Sequence, residues 1–515
     1  MPAIKLNSIA LLGLTGTAIE IEVDISDGLP NYTLLGLPDS ALLEARDRVR
    51  SALQNSGFGW PNRKITISLS PAWLPKSGSN FDLPIAIGLL LSNAILPNID
   101  LSKDLFLGEL GLNGQLRPVR GVLPALVFAK RAGFKRVYLP NENLPEAKLV
   151  SDLNIYGFNS LNQVIEYLQT GNYFQTESNL NYVDSENIEP DLLIDFADIS
   201  GQKNAKLALQ IAAVGGHHTL LIGPPGAGKT MLAQALPGLL PELENEAALE
   251  VTSLHSISGS KRSIYSKTPP FVAPHHTTTA TALVGGGSQT IKPGAISLAH
   301  RGVLFIDEAP ECKSGILDSL RQPLETNSVT ITRAIGSVTY PANFQLVLAA
   351  NPCPCGKFTG RGRGCACSQL QIRRYLNRLS GPLLDRIDLK LLVEQPTRAE
   401  LSNIDKKIGE KDVQTSADLR RQVKRARSRS NARFKQFPWQ SNSQIPARYL
   451  RGDFLAEQSA MTFLHTQLDK ERISARGFHK ILRTAWSIAD LQESDRPTLE
   501  QVQLAFNLRT AGEIE

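Results

Sequence analysis
The chain has no apolar run long enough to cross a bilayer. Its most apolar stretch, LPIAIGLLLSNAIL at residues 83–96, is 14 residues long and carries Ser92 and Asn93, whereas a spanning helix needs about 20. A buried helix is expected there, and no membrane partner. Cysteine is scarce too. Five in 515 residues, odd in number and mostly clustered, exclude the disulfide framework of small secreted domains. Nor does the beginning read as an export leader: MPAIKLNSIALLGLTGTAIEIEVDI has one lysine and soon alternates Ile and Val with Glu and Asp, the pattern of a strand. A reducing, cytoplasmic setting is the expectation. No internal repeat stands out. The net charge of +6 is a mild basic excess, compatible with nucleic acid but decided by placement rather than by sum.

What is present suggests about three domains. Residues 1–170 mix alternating strands (AIEIEVDI, KITISLS, RVYLP) with helical stretches (DSALLEARDRVRSALQNSG, LPALVFAKRAG), an α+β pattern. Residues 171–190 hold four acidic residues, no basic one and little periodicity, and read as a linker. Strand and helix then alternate over 191–397, an α/β core, and 398–515 is helical. In that tail RRQVKRARSRSNARFK, residues 420–435, has eight basic residues and no acidic one. It reads as a solvated helix face or as a surface for phosphates or a neighbouring subunit.

The chemistry begins at LLIGPPGAGKTML, an apolar strand, a Gly-rich turn and a helix start. Gly223, Pro224, Pro225, Gly226, Ala227, Gly228, Lys229, Thr230 and Met231 form a phosphate-binding loop of the G-x-x-x-x-G-K-[ST] type. Its backbone N–H groups and the following helix favour phosphate oxygens. Lys229 neutralises the β- and γ-phosphates, and the Thr230 hydroxyl ligates Mg²⁺. Downstream, GVLFIDEAPE is a buried strand ending in Asp307, a second Mg²⁺ partner, and Glu308, which orients the attacking water. The adjacent Asp-Glu pair points to ATP hydrolysis rather than passive nucleotide binding.

These two motifs, with FADISGQKNAKLAL before them and LAANPCPCG and SGPLLDRIDL after them, resemble the AAA+ ATPases of the Mg-chelatase-like YifB/ComM family over essentially the whole chain. The resemblance implies an AAA+ P-loop core with a C-terminal helical lid. It implies that Ile199, Gly201 and Gln202 line the adenine pocket and that Asn351 is the sensor 1 residue. Arg386 matches the arginine finger given to a neighbour's site, and Arg476 the sensor 2 arginine on the lid over the nucleotide. Without the resemblance both would be ordinary surface arginines. A finger given in trans requires an oligomer, a homo-hexameric ring.

Beside sensor 1, NPCPCGKFTGRGRGCACS packs four cysteines. Cys353-x-Cys355 and Cys365-x-Cys367 are separated by nine residues, so a folded-back loop could gather four thiols. Such soft ligands favour tetrahedral Zn²⁺, which would replace a core in a loop where Phe358 is the one large apolar side chain between the pairs. Locally packed free thiols, a redox pair and an Fe–S cluster are the alternatives. Cys312 stands apart, as a packing residue.

Between the ATP motifs lies FVAPHHTTTATALVGGGSQTIKPGAISLAH. Adjacent His275 and His276 cannot both face one metal from a regular strand or helix, so a loop or hydrogen-bonding role is expected. In similar ATPases such insertions face the ring's pore. VTITRAIGSVTYPA reads as a hairpin whose Arg333 contacts a phosphate or pairs with a nearby acid. Nothing reads bases, so DNA binding would be sequence-independent and salt-sensitive.

The leading 170 residues resemble the Lon proteolytic domain at PAWLPKSGSNFDLPIAIGLL and FLGELGLNGQLRPVRGVLPALVFAKRAG. Matching positions put Asn80 where that family has its serine and Leu123 where it has its lysine, with Ser77 and Ser79 nearby but out of place. The expectation is a Lon-like fold without peptidase activity. Resemblance to ComM-type members implies a DNA motor promoting branch migration during natural transformation. A Mg-chelatase-type ATPase subunit and an ATP-dependent protein remodeller are the alternatives.

Overall fold
In the N-terminal region β1 (Ile4–Leu12) and β2 (Thr15–Ser26) pair antiparallel. The alternation in β2 has its physical reason in the pleat: Ile19, Ile21 and Val23 are buried, while Glu20 and Glu22 face the other way, each 2.9 Å from Lys5 Nζ. With β3 (Asn31–Leu35), β4 (Lys64–Ser70), β5 (Asp104–Phe106), β6 (Arg136–Pro140) and β7 (Asn154–Phe158) they form a seven-stranded mixed sheet in the order β3-β4-β2-β1-β5-β6-β7. The expected buried helix is α2 (Asp82–Ser92), which follows α1 (Ala45–Asn55) and is buried on nearly every side. Its one acid, Asp82, is taken by a two-pronged bond from Arg48 at 2.8 and 2.9 Å. The helix α3 (Val122–Ala132) packs in a second cluster on the same sheet.

The computed structural model describes residues 3–511 apart from 75, 77, 98, 174–193, 260–264, 288–290, 314, 334–335, 359–363 and 396–413. Ser77, most of the expected linker and the boundary expected at 397 therefore lie outside the described residues. The packed N-terminal body runs past 170: Tyr173 donates its hydroxyl to Gly157 O at 3.2 Å and rests edge-on against Tyr156.

The second region is an α/β core. Helix α4 (Lys203–Gly215) precedes β8 (Thr219–Ile222), which is followed by α5 (Lys229–Ala235) and α6 (Asn245–Ser258). Strands β9 (Phe271–Val272), β10 (Val303–Ile306), β13 (Gln345–Ala350) and β14 (Leu389–Leu392) join β8 in an all-parallel sheet ordered β9-β10-β13-β8-β14. Its β8, β10 and β13 are buried on both faces, which is why they read as unbroken apolar runs. The strands β11 (Ser328–Arg333) and β12 (Gly336–Pro341) form the expected hairpin, with Val329, Ile331, Val338 and Tyr340 turned inward.

Helices α7 (Ser416–Arg433), α8 (Gln458–Asp469), α9 (Ala475–Leu491) and α10 (Leu499–Thr510) close the chain around a cluster that includes Phe454, Phe478 and Trp486. Among the described residues, the N-terminal region meets the core at the start of α3 and at the β1–β2 turn. Gly121 N donates to Ser256 Oγ of α6 at 3.1 Å. The β1–β2 turn lies so close to the β11–β12 hairpin that a Cβ on Gly13 would sit 2.4 Å from Val338 Cγ1. Among the described residues no helix is long and apolar enough to cross a membrane.

Candidate functional site
The phosphate-binding loop leaves the C-terminal end of β8, between the ends of its two neighbours. Gly223 N donates to Ala350 O at 3.1 Å, and Val393 N to Ile222 O at 2.8 Å. A side chain at Gly223 would strike Val393 O at 2.3 Å, so glycine is required by contact. Gly226 and Gly228 are required by conformation, at φ +75° and +86°. Lys229 starts α5 and is only 8% exposed. Its Nζ donates to Gly223 O at 2.7 Å, Pro224 O at 2.9 Å and Asn351 Oδ1 at 3.1 Å. Burial lowers its pKa, while Asp307 and Glu308 pull the other way. Met231, one turn into α5, is partly exposed.

The second motif meets the first as the spacing implied. Asp307 follows β10, accepts from Thr230 Oγ1 at 2.8 Å through one carboxylate oxygen and from Glu308 N at 2.8 Å through the other. Thr230 and Asp307 are thus brought together, the two residues that could hold Mg²⁺. Glu308 itself stands in the left-handed region at φ 48°, ψ 42°, a conformation uncommon for a side-chain-bearing residue outside functional sites. Ile199 is buried, and Gln202 Nε2 donates to Ala227 O at 3.3 Å and to Glu394 O. With Gly201 between them, these residues flank the loop.

One neighbour was not foreseen. His276 Nδ1 lies 3.1 Å from Glu308 Oε2, and the His275 ring leans on that of His276 at 4.1 Å. His276 thus meets the Glu308 carboxylate, while His275 Nδ1 pairs with Thr277 Oγ1 at 2.8 Å. Only the adjacency of two histidines signalled it in the sequence, because the contact joins segments from different strands.

Arg386 and Arg476 are brought together, but not here. Both lie off the opposite end of the sheet's strands. Arg386 precedes β14, where Asp388 N donates to His218 O before β8 begins. The loop follows the far end of the same four-residue strands, roughly 13 Å away. Arg386 donates to Pro382 O at 2.6 Å and to Glu325, and Arg476 pairs with Asp385 at 3.3 Å while remaining 71% exposed. Both line a cleft of about 1440 Å³ that also carries Arg301, Lys424, Arg427 and Arg483, and that no residue of the loop lines. The expected position of Arg476 over its own chain's nucleotide is thus not the one found. The polypeptide enters α9 beside Asp385 and Arg386 instead.

The four cysteines do converge. Their sulfurs lie within 4.8 Å of one another, with Cys353–Cys355 at 3.3 Å and Cys365 at 3.6 Å from each. A tetrahedral zinc with bonds of ~2.3 Å requires sulfurs about 3.8 Å apart, so the quartet fits that ion. Backbone N–H groups of Lys357 and Cys367 point at the sulfurs of Cys355 and Cys365, the kind of support that orients thiolate ligands. Cys312 is half-buried beside the core cluster.

In the N-terminal region Leu123 is wholly buried, its N–H held by Glu146 Oε1 at 3.1 Å. Asn80 O accepts from Gly108 N at 3.1 Å, and Ser79 Oγ donates to Glu109. The basic run at 420–435 is divided: Arg421, Lys424, Arg425 and Lys435 are exposed, while the other four turn toward the molecule. Arg420 donates to Gly238 O at 2.7 Å, Arg427 to Ala213 O at 2.9 and 2.6 Å, and Arg433 binds Asp490. Arg333, at the hairpin end, donates to Thr332 O at 3.3 Å and would lie 3.2 Å from a Cβ on Gly286.

Comparison with known proteins agrees with the geometry. Family profiles match in three stretches: magnesium chelatase subunit ChlI over residues 195–401, subunit ChlI of Mg-chelatase over 21–143, and the ChlI C-terminal part over 413–509. An uncharacterized protein of Mycobacterium tuberculosis is 44% identical over 507 residues, 98% of either chain. Competence protein ComM of Haemophilus influenzae is 42% identical over 484 residues, 94% of this chain and 92% of its own. Uncharacterized protein YifB of Escherichia coli is 39% identical over 505 residues, 97% and 96% of the two chains. Identity of this order along almost the whole length shows that the chain belongs to the YifB/ComM family of Mg-chelatase-like AAA+ ATPases.

Proposed function
We propose that the protein is an ATP-hydrolysing ring motor acting on DNA, which drives branch migration in recombination during natural transformation. The observation that carries the ring is the division of the catalytic set between the two ends of one sheet's strands. Lys229, Asp307, Glu308 and Asn351 gather at one end, Arg386 and Arg476 at the other. One chain cannot close both sets on one phosphate. In a homo-hexamer the exposed arginine end of each protomer meets the loop end of the next.

Within such a site Lys229 exchanges its carbonyl and Asn351 contacts for β- and γ-phosphate oxygens. Asn351, released from the lysine, positions the water that Glu308 orients and deprotonates. Mg²⁺, held by Thr230 and Asp307, neutralises charge on the phosphates when bound. Arg386 from the neighbour stabilises charge developing on the transferred group, and Arg476 beside it serves the same interface. The cysteine quartet holds one structural Zn²⁺. The N-terminal region has no peptidase role in this reading.

DNA as the substrate is supported by similarity to a competence protein along nearly the whole chain and by a hairpin that ends in Arg333, a cation with no carboxylate partner among the described residues. The test is hydrolysis with and without DNA, together with processing of a three-way junction, using Lys229→Ala as control. ATP-dependent junction movement that the substitution abolishes is the expected result. Robust turnover indifferent to DNA, with no junction movement, would overturn the DNA motor and favour a chelatase-type subunit.

A further inference from the structure
The cysteine quartet is not a remote staple. Asn351, which receives Lys229 Nζ, stands two residues before the fully buried Cys353. After Cys355 the chain turns at Gly356, φ +72°, and Gly356 N closes back on Cys353 O at 2.9 Å. That turn lies directly on the phosphate-binding loop. A Cβ on Gly356 would be 2.6 Å from Cδ and 2.8 Å from Cγ of Pro225. Pro225 O is meanwhile held by Gln395 Nε2 at 3.2 Å. The outer wall of the loop is therefore gripped by the strand end carrying Gln395 and by the Cys353–Gly356 turn.

The first grip is continuous with β14. The second has little of its own to keep it in place. It is a Pro- and Gly-containing turn whose apolar burial is essentially Cys353, so its shape depends on what joins the four sulfurs.

We propose that the metal at the cysteine quartet braces the nucleotide site: by fixing the Cys353–Gly356 turn against Pro225 it preorganises the phosphate-binding loop, and affinity for nucleotide depends on metal occupancy. The inference rests on the zinc reading above. Its physical basis is that a loop left free must be ordered when the phosphates arrive, and that cost is subtracted from binding. Ordering one or two residues is worth roughly a tenfold change in affinity. Zinc takes no part in the reaction here, and its effect travels through one backbone-to-ring contact.

The experiment uses the full-length chain in Mg²⁺ buffer. Metal content is measured by elemental analysis, and affinity by titration with a fluorescent ATP analogue, before and after a zinc-selective chelator and again after Zn²⁺ is restored. Tryptophan emission, to which buried Trp439 and Trp486 of the helical region contribute, reports whether the rest of the fold survives. About one zinc per chain is expected, with affinity falling roughly tenfold on stripping and returning with Zn²⁺ but not with further Mg²⁺. Gly356→Ala, which drives a methyl into Pro225, is expected to keep its zinc and still bind nucleotide several-fold more weakly. Unchanged affinity after verified stripping, or in Gly356→Ala, overturns the brace and leaves the zinc site standing. Folded protein purified without chelator that carries no zinc overturns the zinc reading, and the brace with it.

Discussion

Lys229 and Glu308 are the two side chains on which the proposed hydrolysis turns, and each is held by a group from a different part of the fold. Lys229 is drawn into backbone carbonyls and Asn351, where burial works against its charge. A polyphosphate laid across it relieves that penalty, so the ammonium gains more there than on an open surface. Glu308 is tethered by His276 at 3.1 Å. That histidine sits in the segment leading to the short helix Ala280–Val284, so the insertion between the two ATP motifs reaches the hydrolytic carboxylate directly. Removing the tether frees Glu308 to leave the line of attack, and misplacement by about 1 Å can cost roughly a hundredfold in rate. His276→Ala is therefore expected to lower turnover by ten- to a hundredfold while leaving nucleotide affinity unchanged. Steady-state hydrolysis beside equilibrium binding checks this, and a change confined to affinity would refute it. His276→Gln, able to reach the same carboxylate, should restore part of the rate. The loop itself was readable from GPPGAGKT because strand, turn and helix are contiguous. His276 was not, because its partner lies 32 positions along the chain on another strand.

The same contrast between local and distant signals governs the elements. The run 420–435, mostly in helix α7, reads as a band of eight positive charges, and its sequence leaves open whether they face water, phosphate or a partner. The fold turns half of them inward and leaves Arg421, Lys424, Arg425 and Lys435 exposed. Arg427 is buried against Ala213 O near the C-terminal end of α4, where a cation suits the helix dipole, and desolvation lowers its pKa to about 10. Arg433 grips Asp490 at 2.6 and 2.9 Å and stacks 4.2 Å over the Trp486 ring. With a fully buried carboxylate as its partner, Arg433→Ala strands a charge in the helical domain and is expected to cost about 3–5 kcal/mol. A loss of less than 1 kcal/mol in denaturant unfolding would show that water reaches Asp490. At the start of β14, burial alone would raise the Asp388 carboxyl, but Lys480 at 2.5 Å and then His217 outweigh it and hold the group well below the usual carboxylate range. A depressed folded value means that its contribution is whole above the unfolded pKa of ~3.9 and is lost as pH falls through the folded value. Acid unfolding of the wild type should therefore steepen below about pH 4, and Asp388→Asn should flatten that limb while lowering stability at pH 7. An unaltered acid limb in the variant would mean that Asp388 is protonated in the folded state.

At the scale of the whole molecule the decisive fact is which end of the parallel strands the two arginines occupy. The motif around LLDRIDL located Arg386 and that around ISARGFHK located Arg476, yet sequence alone gave no hint that α9 would enter beside Asp385 rather than over the loop. The order β9-β10-β13-β8-β14 supplies what was missing: with all strands parallel, the residue before β14 and the residue after β8 stand at opposite ends. Two defects at the two ends must then be separable between chains. In the proposed ring, Lys229→Ala spoils the site a protomer builds for itself, and Arg386→Ala spoils the one it completes for its neighbour. Each variant alone should hydrolyse at background level: the first without nucleotide binding, the second with binding intact. Mixed before assembly, the two form some interfaces in which an Arg386→Ala chain supplies the loop and a Lys229→Ala chain supplies the finger. Random mixing in equal amounts makes about a quarter of the interfaces of that kind in a cyclic ring. Turnover in the mixture should therefore rise from background toward roughly that fraction of wild type, and fall again when either variant is in large excess. If every mixture stays at background while light scattering confirms mixed rings, the arginines act within their own chain, and the helical domain must swing across the sheet to bring them there.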